Sequence, residues 1–85
     1  MSRPDSRWIE FVELGRSISG RTRRFEVRPR ASDSDERGLG MVTWYGAWRR
    51  YAFHPEALTV FESQCLRDIA AFCDWLMAER KAGRR

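Results

Sequence analysis

Two periodicities divide the chain. Up to residue 54 the apolar positions alternate with polar ones, and from Ser63 onward they recur every three to four residues. In Trp8-Ile-Glu-Phe-Val-Glu-Leu14, Ile9 and Phe11 fall on one side and Trp8, Val12 and Leu14 mostly on the other, with strand-forming residues throughout. Thr22-Arg-Arg-Phe-Glu-Val-Arg28 alternates cleanly, setting Phe25 and Val27 against Arg24, Glu26 and Arg28. Turn formers over 15–20 join these two into a hairpin with one wet face. Pro29 has no N–H for a ladder and ends the second strand, and the acidic, polar stretch 31–38 reads as a mobile loop. A second hairpin follows, with strands over 39–45 and 48–54 joined by a tight Gly46-Ala47 turn. Its facing is left open on the third strand, where Val42 and Trp44 compete with Met41 and Tyr45 for the core. A one-residue register slip exchanges those two sets.

Beyond Pro55 the period changes. Leu66, Ile69, Ala70, Cys73, Leu76 and Met77 recur at the spacing of one buried helical stripe, predicting a helix over 63–81. Ser63 is read as its N-cap, Glu62 suits its positive end, and Arg80 and Lys81 suit its negative end before Gly83. Four strands and one amphipathic helix predict an α+β fold, in which a four-stranded antiparallel sheet carries one C-terminal helix packed on one face. The domain spans 8–82, between an N-terminal segment 1–7 expected to be disordered and a short basic tail over 83–85. A chain of 85 residues has room for one core, and its rings, each burying roughly 150–250 Å², are expected to let it fold without staples.

Composition narrows the setting. No polar-flanked apolar stretch opens the chain as a signal peptide would, and no run approaches the roughly 18 apolar residues of a membrane span. Cys65 and Cys73 sit on the predicted helix, eight positions and therefore about 12 Å apart, too far to bridge each other. A reduced, cytoplasmic protein without a membrane partner is expected. The net charge of +4 comes from 16 basic and 12 acidic residues, and Lys81 is the single lysine among the basic ones. Arginine richness has two readings. One is the codon usage of a G+C-rich genome; the other is the suitability of the planar guanidinium for phosphate, carboxylate and ring recognition.

Catalytic constellations are scarce. His54 is the single histidine, and with Cys65 and Cys73 it lacks the close ligand spacing of a zinc site. Cys73 lies in the apolar stripe, where burial raises a thiol pKa and quiets it. Nothing in the spacing of Glu10, Glu13, Glu56 and Glu62 selects a working carboxylate pair, and Gly38-Leu-Gly40 leads into a strand rather than a phosphate-cradling helix. Neither a metal, a cofactor nor enzyme activity is expected.

What stands above background is basic and aromatic. Arg16, Arg21, Arg23, Arg24, Arg28 and Arg30 fall within fifteen residues opposed only by Glu26, and Arg49 and Arg50 lie beside Trp48 and Tyr51. A binding surface of Arg24, Arg28, Tyr45, Trp48 and Arg50 is expected on the uncovered sheet face, with Arg21, Arg23, Arg30 and Arg49 as a secondary basic set. Guanidinium groups beside flat rings suit single-stranded nucleic acid and equally suit protein hot spots.

The run Trp44-Tyr-Gly-Ala-Trp-Arg-Arg-Tyr-Ala-Phe-His-Pro55, then Thr59-Val-Phe-Glu62 and Cys65-Leu-Arg-Asp-Ile-Ala-Ala-Phe-Cys73, resembles a family of small, uncharacterised phage and prophage proteins. The resemblance implies a genomic context and no established activity or functional residue. In that context the leading expectation is a non-enzymatic inhibitor of a host nucleic-acid-handling complex, an anti-defence or host-takeover protein of the anti-CRISPR kind. Direct DNA or RNA binding by the same face is the alternative, and self-assembly as a homodimer or structural phage protein a third.

Overall fold

The computed structural model describes residues 2–30 and 38–83. Strands β1 (Ile9–Arg16), β2 (Arg23–Pro29), β3 (Gly40–Tyr45) and β4 (Arg50–Pro55) form one antiparallel sheet in chain order, and helix α1 (Ser63–Gly83) lies over one face. The expected loop at 31–38 falls, apart from Gly38, outside the described residues.

Register decides the faces. Phe11 pairs with Val27, Phe25 with Val42 and Val42 with Phe53. Phe11, Phe25, Val27 and Val42, with Ile9 and Tyr51, form the buried face, and the half-buried Phe53 packs against it. On β3 it is therefore Val42 and Trp44 that turn inward, while Met41 and Tyr45 turn away. Gly40 occupies the point of closest approach. A Cβ there would sit 2.5 Å from the His54 carbonyl oxygen and 2.7 Å from the Phe53 ring, so no larger residue fits without moving backbone.

The helix stripe is rotated from the expected one. Ile69, Phe72, Trp75 and Leu76 are buried, whereas Leu66 and Ala70 are exposed. The reason is ring size: Phe72 and Trp75 offer more apolar area than any aliphatic neighbour, so the helix turns them inward. Phe72 stacks on Phe11 with centroids 3.9 Å apart and meets Phe25 edge-on at 4.8 Å. The helix start also differs from the Ser63 cap. The Glu62 carboxylate accepts the Cys65 N–H at 2.6 Å, and backbone hydrogen bonds from Gln64 and then Cys65 hold its pKa low.

Two other expectations are corrected. The β3–β4 connection is a four-residue turn, Gly46 to Arg49, closed by Trp48 N–H to Tyr45 O and Arg49 N–H to Gly46 O. Arg49 takes a φ of 53° there, and Trp48 leaves the ladder. The N-terminal segment is not a free tail either. Ser6 is buried and donates to Asp68 on α1 at 2.7 Å, and Arg3 lies over the Phe72 and Phe25 rings while donating to the Phe11 carbonyl. A guanidinium can cover ring faces while its N–H groups remain paired, so a polar segment closes the open end of an aromatic core.

Candidate functional site

The antiparallel order gathers unlike parts of the sequence at one end. The β1–β2 turn brings Arg16, Arg21, Arg23 and Arg24; the β3–β4 turn brings Arg49 and Arg50; the last helical turns bring Arg80 and Lys81. Among the described residues Glu13, Asp74 and Glu79 oppose them nearby. The helix reaches this end because its 21 residues span about 31 Å, whereas a six-residue strand such as β4 spans about 20 Å. Its final turns therefore stand beside the two hairpin turns.

Arg80 is the pivot. It continues the inward row of Ile69, Phe72 and Leu76, and its guanidinium carbon lies 4.2 Å from the centroid of the Trp44 ring. Trp44 meets Tyr51 edge-on at 5.5 Å. Three clefts open around this stack, one toward the β1–β2 turn, one beneath it toward Tyr51 and one toward Arg49 and Lys81, and Arg80 lines all three. The Arg80 Nε is buried and has no hydrogen-bond partner among the described residues.

The expected surface residues divide. Tyr45 and Trp48 come together, packed edge to face at 4.9 Å, with Trp48 70% exposed at the apex of its turn. His54 lies on the other side of Tyr45 at 6.2 Å. Arg50 pairs with Tyr45 across the ladder, but its guanidinium turns round the sheet edge toward Asp74 at 3.9 Å. Arg24 shares the uncovered face and donates to the Gly15 carbonyl at 3.4 Å. Arg28 points the same way from the far half of β2, opposite Glu10 and 3.6 Å from Glu26.

Of the secondary set, Arg21 and Arg49 are exposed at the basic end. Arg23 instead lies on the helix side, over Phe25 and Trp75, in a two-pronged pair with Glu13 at 2.9 Å on each prong. The Arg23 hydrogen bonds pull the Glu13 carboxyl below the ordinary glutamate range, and Arg23 is raised in return. Arg30 is a fastener for the N-terminal segment, donating to Asp5, the Ser6 carbonyl and the Ile9 carbonyl. Arg16, Arg80, Trp44 and Tyr51 were not among the expected contact residues. A helix stripe centred on Phe72 and Leu76 would have carried Arg80 to the sheet side, and that signal lies in the sequence.

Among the described residues no cluster of three His, Cys, Asp or Glu side chains is placed to hold a metal. Burial pushes the Cys73 thiol up to about 11, with Asp74 adding to the effect, so it stays protonated at neutral pH. No helix of the described residues is long and apolar enough to cross a membrane.

The chain is similar to a phage protein. Over 43 residues it is 40% identical to the "Uncharacterized 9.3 kDa protein" of Acholeplasma phage L2, a match covering 51% of this chain and 55% of that protein. The chain thus spans about half the length of the curated relative it matches. No family model matches, and no solved structure matches.

Proposed function

We propose that this is a non-enzymatic, phage-type binding protein that engages a nucleic-acid-handling complex of its host by gripping the nucleic acid strand at the basic end. The observation that carries the reading is the convergence of cations from three separate chain segments beside the solvent-exposed Tyr45–Trp48 pair. Guanidinium groups neutralise phosphates and release counterions. Exposed rings give bases a surface to stack on, worth about 1–3 kcal/mol per base. The similarity to a phage protein supports the biological setting.

This differs in emphasis from a surface spread over the uncovered sheet face. Arg28 is close to Glu26 and Glu10, and the Arg50 head is drawn to Asp74, so the centre of that face carries less free positive charge than the turn end. The test is binding of a fluorescent single-stranded oligonucleotide across a salt series. Affinity is expected to fall with a log–log slope of about −0.7 for each phosphate contacted, and Trp48→Ala is expected to weaken binding without lowering the melting temperature. No binding even at low salt would sink the nucleic-acid reading.

A further inference from the structure

The cleft beneath the Arg80–Trp44 stack has more than positive charge. It measures about 380 Å³ and is lined by Arg16, Arg21, Arg23, Tyr51, Glu79 and Arg80. Tyr51 is only 6% exposed, and its hydroxyl accepts the Arg23 backbone N–H at 3.1 Å. The hydroxyl's own proton has no acceptor among the described residues. The neighbouring Arg80 Nε–H is likewise buried and unused. A buried donor with no acceptor, as at Arg80 Nε, is costly unless something accepts from it, and the Tyr51 hydroxyl beside it has a proton still to give.

Charge specifies the acceptor. Arg23 is already neutralised by Glu13. Arg16, Arg21 and Arg80 have no ion pair among the described residues, and Glu79 is the one carboxylate in the lining. The cleft therefore presents an excess of two positive charges. A phosphodiester carries one negative charge and would leave part of that excess uncompensated. A phosphomonoester above its second pKa of about 6 carries two, together with three strong acceptor oxygens for the Tyr51 and Arg80 donors.

We infer that this cleft is a phosphomonoester site which takes the terminal phosphate of a nucleic acid strand, with Tyr51 Oη–H and Arg80 Nε–H as its buried donors and Arg16 and Arg21 closing over it. The inference rests on the nucleic-acid reading for its choice of ligand. The pocket's anion chemistry stands without it.

Two measurements separate these. The first compares oligonucleotides of one sequence bearing a 5′-phosphate, a 3′-phosphate or hydroxyls at both ends. A terminal phosphate is expected to tighten binding about tenfold at pH 7.5, a charge-assisted hydrogen bond being worth roughly 1.5 kcal/mol or more. The advantage is expected to shrink as pH falls below about 6 and the phosphate loses a charge. Tyr51→Phe is expected to abolish the advantage while the hydroxyl-ended strand binds as before, and Arg80→Gln is expected to abolish it while weakening all three strands through the lost cation. Equal affinity for all three strands in the native protein overturns the phosphomonoester site and leaves the strand-binding reading intact. The second measurement titrates inorganic phosphate against the arginine Nε–H resonances. Saturable shifts confined to Arg80, Arg21 and Arg16, and lost in a folded Tyr51→Phe variant, support the pocket even if no oligonucleotide binds. Small, uniform shifts over all arginines, unchanged in Tyr51→Phe, mark an ion atmosphere and overturn it.

Discussion

Among the fifteen-residue run of arginines, neighbours one or two positions apart end in different roles. Arg23 is committed to Glu13 and to the rings beneath it, Arg24 lies on the opposite sheet face, and Arg21 projects from the turn. Alternation explains the split between 23 and 24, because successive side chains in a strand point to opposite faces. The Glu13–Arg23 pair can be tested by pH. Its folded-state carboxyl is held below the usual value of about 4.3, so its contribution is complete above that pH and is lost as pH falls through the lowered folded value. Both side chains are partly exposed, which limits the pair to about 1 kcal/mol or less. Denaturation midpoints of the native protein and Glu13→Gln should differ at pH 7 and converge in acid. A constant gap down to pH 2 would show that the glutamine perturbs packing instead.

At the scale of the element, α1 shows that a helical period alone leaves the stripe's centre undetermined. The aliphatic positions chosen from the sequence and the aromatic positions that the helix buries lie on overlapping arcs of the same cylinder. Which arc wins depends on what waits across the interface. Phe11 and Phe25 present flat faces, and Phe72 meets both. Phe72→Ala should therefore cost about 3–5 kcal/mol, in the range for deleting a fully buried aromatic side chain. Leu66→Ala, at an exposed position, should change stability by about 0.5 kcal/mol or less. Urea unfolding followed by tryptophan fluorescence measures both, and comparable losses would mean the stripe is centred on Leu66 after all. The β3–β4 turn carries a related lesson. Two more turn residues than the sequence suggested lift Trp48 out of the strand and set it at an apex.

For the molecule as a whole, charge is distributed by topology. The ends of β1 and β3, the starts of β2 and β4 and the terminus of α1 coincide; β1, β2, β4 and α1 bring cations there, and β3 brings the Trp44 and Tyr45 rings. The opposite end mixes signs, with Asp5, Glu56, Glu62 and Asp68 among Arg7, Arg30 and Arg67. A strand-binding surface at the turn end makes a positional prediction. Reversing Arg21 and Arg49 to Glu should reduce oligonucleotide affinity by well over tenfold at low salt and flatten the salt dependence. The same reversal at Arg7 and Arg67 should reduce affinity only modestly through the change in net charge. Equal losses from the two pairs, measured by anisotropy, would show that the protein responds to total charge rather than to a site.

The alternation of Phe25 with Arg24 and Glu26, the switch to a helical period after Ser63 and the sparse catalytic chemistry were properties of the chain read residue by residue. They sufficed for an antiparallel sheet with one helix, because local period and turn chemistry depend on neighbours a few positions away. The facing of β3, the rotation of α1, the packed N-terminal segment and the meeting of Arg16, Arg21, Tyr51 and Arg80 required the tertiary structure. Those features depend on which side chains meet across tens of residues. Burial of the largest rings and closure of the ladder settle such contacts together, and no local pattern specifies them one at a time.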